Sequence, residues 1–243
     1  MICFSLLSSL CRSSFLQPFS FCYYNSFRFY VLVRLMEVEV KLRLRDATAH
    51  RQLTTVLSPF FIKTLHQQNY FFDTPTNTLS SRLSVLRLSF PDEEAHCDVS
   101  LKSKPTLVDG VCRVEKDTEE LDLCIARGCV EDTARLAKTE SRIVKRVKDE
   151  FGVGEEAGFV CLGWFKNKKT VFYWEKLRLE VDETTYDFGT CYEIECENED
   201  PDGVKRLLEE FLKENGIPYS YSNMTKFDVF RSGQLPKGSE FEP

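Results

Sequence analysis

Residues 37–45, EVEVKLRLR, alternate without a break: odd positions are charged and even positions aliphatic. A period of two marks a β-strand whose two faces meet different surroundings. Further strand-like stretches occur at 67–75 (QQNYFFDTP), 82–90 (RLSVLRLSF), 96–104 (HCDVSLKSK) and 111–117 (VCRVEKD). Turn-forming stretches separate them, PDEE at 91–94 and TLVDG at 106–110, so this half predicts a meander of hairpins. A second strand-rich half follows at 159–169, 170–177, 178–189 and 190–198.

Between and around the strands the period changes. Asp46 is placed to cap a helix running to about Ser58, which Pro59 ends. Residues 117–149 read as helical, with Leu121, Leu123, Ile125, Leu136, Ile143, Val144 and Val147 spaced for a buried stripe and Gly128 breaking the run. Asp200-Pro201 opens a further helix that turns Leu207, Leu208, Phe211 and Leu212 inward and stops at Gly216. A basic and aromatic stretch, YSNMTKFDVFRSG, precedes a polar tail. Eight or nine strands without β-α-β alternation predict an α+β fold built on an antiparallel barrel or sandwich.

The charges then sharpen the picture. Glu193, Glu195 and Glu197 share one strand face, as do Arg178, Glu180 and Asp182; Asp98, Lys102 and Lys104 lie together on another. Two accounts are open. The charged faces look at solvent while helices cover the aliphatic faces. Alternatively, the sheet closes with its charges inward around a wet lumen. The glutamate triplet favours the second, because like charges along one face repel unless a cation neutralises them. Carboxylate oxygens suit Mg²⁺ or Mn²⁺, and Lys and Arg grip phosphate oxygens.

Composition limits the alternatives. A formal charge of −6 argues against general nucleic-acid binding. Residues 1–35 contain no Asp or Glu, are rich in Ser and Phe, and are interrupted by Arg12 and Arg28, so no apolar run there is long enough to span a bilayer. That stretch resembles either an organellar transit segment or translated upstream sequence before Met36, and is set apart from a domain at 36–231 and a tail at 232–243. Ten cysteines without C-x-x-C pairs or zinc spacing read as reduced thiols of a cytoplasmic protein, or of an organellar one if the leader is a transit peptide. His50, His66 and His96 lack metal-ligand spacing, and Trp164 and Trp174 read as packing residues.

Glu37-x-Glu39-x-Lys41 resembles the E-x-E-x-K signature of the CYTH superfamily, the triphosphate tunnel metalloenzymes. FFDTP, VLRL, LKSK, CRVEKD, FKNKK, LEVDET and YEIECE follow in the family's order over about residues 36–230, with plant tripolyphosphatases the nearest likeness. The resemblance implies an eight-stranded antiparallel β-barrel with helices outside, and a Mg²⁺- or Mn²⁺-dependent hydrolysis of inorganic tripolyphosphate in its lumen. It implies Glu37, Glu39, Asp182, Glu193 and Glu195 as metal ligands, with Glu180 close by. Lys41, Arg43, Arg87, Lys102, Arg113, Lys168 and Lys226 are implied to contact the triphosphate, and Glu37 and Glu115 to hold the attacking water. Ser89 departs from the family's L-R-x-R pattern and removes one inward cation. An organic triphosphate enzyme (thiamine triphosphatase, nucleoside triphosphatase or adenylate cyclase) and a non-catalytic polyphosphate-binding module are the rivals. No membrane or nucleic-acid partner is expected, and a monomer is favoured.

Overall fold

The computed structural model describes residues 35–92, 96–154 and 158–236. The leader, except for Leu35, which opens the first strand, therefore lies outside the described residues, as does most of the polar tail.

Nine strands form one sheet. They are β1 (Leu35–Leu44), β2 (Phe61–Asp73), β3 (Ser84–Pro91), β4 (His96–Val108), β5 (Val111–Asp122), β6 (Val160–Trp174), β7 (Leu177–Tyr186), β8 (Gly189–Glu197) and β9 (Tyr219–Tyr221). The sheet runs β5-β4-β3-β2-β6-β7-β8-β1, and pairing of β1 with β5 closes it into an eight-stranded antiparallel barrel. The short β9 pairs with Leu42–Leu44 at the far end of β1. Six α-helices pack around the barrel: α1 (Ala47–Val56), α2 (Leu123–Glu131), α3 (Thr133–Leu136), α4 (Arg142–Phe151), α5 (Pro201–Glu214) and α6 (Lys226–Ser232).

The burial is inside out relative to a water-facing sheet. Val40, Leu42 and Leu44 point outward and pack with Leu53 of α1 and Leu208 and Leu212 of α5. On the other side, Leu86, Leu88, Val99 and Leu101 meet Ile143, Val144 and Val147 of α4. The aliphatic faces are thereby taken out of water by helices, and the charged faces are left to the lumen.

Several sequence expectations change. The strands expected at 159–169 and 170–177 are one strand, because alternation continues through Lys169-Thr170. The chain reverses only at Glu175-Lys176, where both residues have positive φ (48° and 64°), as a two-residue hairpin turn requires. The helical region expected from 117 begins only at Leu123, where the side chain of Asp122 caps α2 by accepting from the N–H groups of Cys124 and Ile125. Before that, β5 continues, and Asp117 accepts hydrogen bonds from Arg142 and Arg146 of α4 at 2.7 and 3.0 Å. Gly128 lies inside α2; the break falls at Asp132, which caps α3. Leu207 and Ile125, expected inside, are 37 % and 50 % exposed.

Candidate functional site

The lumen encloses about 440 Å³ and is lined by alternate residues of the eight barrel strands. Residues paired across neighbouring antiparallel strands share a face, so the register decides which charges enter. On β1, Glu37, Glu39, Lys41 and Arg43 all point inward and are nine-tenths or more buried. Lys41 lies opposite Glu195 and Arg43 opposite Glu193. On the next pair, Glu180 lies opposite Glu195 and Asp182 opposite Glu193.

The charges pair in two groups. Around Glu37, the ammonium groups of Lys102 and Lys116 approach at 3.1 and 2.8 Å. Burial alone would raise the pKa of Glu37, but these two cations outweigh it and bring it down to about 2. Around Glu195 the cation is Lys226, carried into the barrel at the first residue of α6. Its ammonium lies 2.7 Å from Asp182 Oδ2 and 3.6 Å from Glu193 Oε2, and it donates to Glu195. Lys41 bridges Glu39 at 2.8 Å and Glu195 at 2.5 Å. Burial works against the charge on Glu195, yet Lys226, Lys41 and Lys169 hold its pKa well below the carboxylate range.

Other lumen charges are less well matched. Burial pushes the pKa of Arg87 down, and that of Lys102 also, despite nearby carboxylates. Burial pushes Asp182 up, and its Oδ1 has no hydrogen-bond partner. Arg43 donates through Nη2 to Glu193 at 2.9 Å while its buried Nη1 is unpartnered. Buried cations with spare capacity invite an anion, and a buried carboxylate with an orphaned oxygen invites a cation.

Most residues implied by the resemblance are brought together here: Glu37, Glu39, Lys41, Arg87, Lys102, Asp182, Glu195 and Lys226 all line the lumen, and Arg43 and Glu193 are buried against that wall. Three are not. Arg113 lies opposite Val38, and Glu115 opposite Met36, on the outer face, because Glu37 and Glu39 bring Val114 and Cys112 inward instead. Glu115 pairs with Lys104 at 3.5 Å. Lys168 lies opposite Glu183 on the outer face, whereas Lys169 lies opposite Asp182 on the inner one. The lumen cations missed from sequence are thus Lys116 and Lys169, together with Arg178. Counting in twos from Phe165 or Cys112 would have found the first two. Ser89 does face inward opposite Asn69, and each has a buried oxygen without a partner. Neither tryptophan lines the lumen: Trp174 lies tilted against Phe211, with ring centroids 4.6 Å apart, and Trp164 is 39 % exposed.

One mouth is closed by α6. Phe227 and Phe230 pack on Phe71, at 5.0 and 5.4 Å between ring centroids, and Phe165 and Tyr186 complete the cluster. The Tyr186 hydroxyl donates to the backbone carbonyl of Lys226 at 3.1 Å, which fixes the start of the helix. Thr225 and Asp228 form a reciprocal capping box there.

The CYTH domain profile matches residues 35–227, most of the chain and all eight barrel strands. The chain belongs to the CYTH domain family. Among solved structures, it is 52 % identical to HpAC1 from Hippeastrum, a proposed adenylyl cyclase described as having a dominant triphosphatase activity. That match covers 83 % of this chain and 98 % of the other, with a TM-score of 0.80. The fold also matches a proposed adenylate cyclase from Bacillus halodurans (20 % identity, TM-score 0.60, covering 80 % and 98 % of the two chains). A third match is the PH1819 protein of Pyrococcus horikoshii (15 % identity, TM-score 0.53, covering 81 % and 99 %). A comparison with curated proteins gave no match. No helix among the described residues of this CYTH chain is long and apolar enough to cross a membrane.

A divalent cation is implied by the family, and the donor set fits one: the lumen carboxylates offer only hard oxygens, and Asp182 Oδ1 is orphaned. Among the described residues no three carboxylates converge into a ready-made cage. Asp182, Glu193 and Glu195 are instead gathered on the ammonium of Lys226.

Proposed function

We propose that this CYTH barrel hydrolyses inorganic tripolyphosphate to pyrophosphate and phosphate with Mg²⁺ or Mn²⁺. The carrying observation is the pairing in one lumen: burial outweighs the nearby carboxylates at half-buried Arg87 and Lys102, leaving these cations room for a further anion, and it outweighs the Lys226 ammonium at buried Asp182, whose unpartnered Oδ1 leaves room for a further cation. A polyphosphate with its metal supplies both. The triphosphatase activity described for the Hippeastrum protein, 52 % identical to this chain, supports the same reading.

Lys41, Arg43, Arg87, Lys102 and Lys226 bind phosphate oxygens, and Lys116, Lys169 and Arg178 join them from the lumen wall. Glu39, Asp182, Glu193 and Glu195 would hold the metal, with Glu37 at its edge. When bound there, the metal neutralises charge on the transferring phosphoryl group. With its pKa near 2, Glu37 is ionised at neutral pH and a weak proton acceptor. Its role is to accept hydrogen bonds from the attacking water and align it on the terminal phosphorus. Glu115, on the outer face, takes no part in that alignment.

The inorganic substrate is favoured over an organic triphosphate because the rings that line the lumen, Phe71, Phe165 and Phe227, are packed on one another and on Phe230 in the α6 cluster. Phosphate release by the full chain is compared on tripolyphosphate, ATP and thiamine triphosphate at equal concentration, with Mg²⁺ and with EDTA. Tripolyphosphate is expected to turn over at least tenfold faster than either organic substrate, and EDTA to stop it. Faster release from ATP or thiamine triphosphate would reassign the substrate, and undiminished turnover in EDTA would remove the metal.

A further inference from the structure

Lys168, turned out of the lumen by the register of β6, faces a second cavity of about 630 Å³. It lies between α1 and the outer surface of β6, β7 and β8, and its size is within the roughly 300–1,000 Å³ range of small-molecule sites. Its floor includes a cross-strand row in which Lys168 lies opposite Glu183 and Glu183 opposite Tyr192. Helix α1 contributes His50 and Arg51. Phe61 forms a further wall, edge-on to Phe172 at 6.2 Å.

The chemistry of this wall is divided. One part is cationic: Arg51 makes no ion pair within 4 Å among the described residues, acts on Asp46 only at longer range, and donates to Thr48 Oγ1 at 3.4 Å. Lys168 has only Glu183, at a loose 3.6 Å. The other part is aromatic: the buried imidazole of His50 leans on the Tyr192 ring at 5.1 Å and 45°, with no hydrogen-bond partner of its own among the described residues. Burial pushes the His50 pKa down, so the ring is neutral at physiological pH and free to donate or accept.

We propose that this outer cavity binds a heteroaromatic phosphomonoester, the chemistry of a nucleoside monophosphate. Arg51 and Lys168 take the phosphate; the base lies against His50, Tyr192 and Phe61. A guanidinium fork and an ammonium on separate elements match a tetrahedral dianion, and flat aromatic walls add a preference for a ring. The site is separate from the lumen and does not depend on what the lumen hydrolyses.

The chain has three histidines, so imidazole NMR on the ¹³C-histidine-labelled full chain resolves His50, assigned through His50→Gln. AMP is expected to move the His50 signal saturably while leaving that of His96 in place. Adenosine alone and inorganic phosphate alone should each bind at least tenfold more weakly. Arg51→Glu combined with Lys168→Glu should weaken AMP at least tenfold, with the His96 signal reporting an intact fold; Tyr192→Leu should weaken it through the ring wall instead. The proposal is overturned if 10 mM AMP leaves His50 unmoved, if the charge-reversed variant titrates like the parent, or if phosphate alone matches AMP.

Discussion

At the scale of single residues, the decisive pair is Lys168 and Lys169, neighbours in sequence on opposite sides of one strand. Lys169→Met removes a lumen cation that donates to Glu180 and is expected to lower kcat/KM for tripolyphosphate by tenfold or more, since one positioned electrostatic donor is commonly worth ~10²–10³ in rate. Lys168→Met should stay within about twofold of the parent. Equal losses would show that the register argument fails. Glu37 offers a test through pH. Its folded pKa, about 2, is below the ordinary 4.5, so its pairing with Lys102 and Lys116 stabilises the fold fully above about pH 4.5 and is lost as pH falls toward 2. Glu37→Gln should therefore unfold at lower temperature than the parent at pH 7, with the gap closing between pH 4.5 and 2. A gap that stays constant with pH would contradict the pairing.

At the scale of elements, the strands carrying unbroken alternation were legible, and their ends were not. β1, β7 and β8 announce themselves because each carries a run in which every second residue is charged, at 37–43, 178–182 and 193–197. The outer faces of β5 and β6 are also polar, with Arg113, Glu115 and Lys168, so alternation there does not say which side is in. Only pairing with β1 and β7 settles it. The closing stretch read as basic and aromatic without a structure, yet Thr225 and Asp228 carry the capping signature of α6. Thr225→Ala should cost about 1 kcal/mol of stability. It should also lower activity, because the cap holds the turn that inserts Lys226; an unchanged unfolding midpoint would dismiss the cap. Gly163 on β6 tests the plug from the other side. Its φ is +121°, and an added Cβ would lie 2.9 Å from Phe230. Gly163→Ala is expected to destabilise by about 1–3 kcal/mol and to loosen α6, seen as faster amide exchange across Lys226–Ser232.

At the scale of the whole molecule, helices cover the aliphatic outside of the barrel while acids and bases neutralise one another within. Strand order and closure were reached through resemblance to a family, because alternation fixes a face only once the partners of each strand are known. The lumen's near balance of opposite charges explains how so many ionised groups share about 440 Å³, and its local mismatches at Arg87, Lys102 and Asp182 are where substrate and metal are expected. Glu39 stands between these groups, on β1 beside Lys41, and its replacement tests the lumen as the site of chemistry. The most direct measurement is phosphate release from tripolyphosphate by the full chain carrying Glu39→Gln, in Mg²⁺, alongside its thermal unfolding. Turnover is predicted to fall by at least two orders of magnitude while the chain still unfolds in one transition, its midpoint little lowered because Lys41 keeps Glu195 at 2.5 Å when it loses Glu39, whereas activity within a few-fold of the parent would contradict the account.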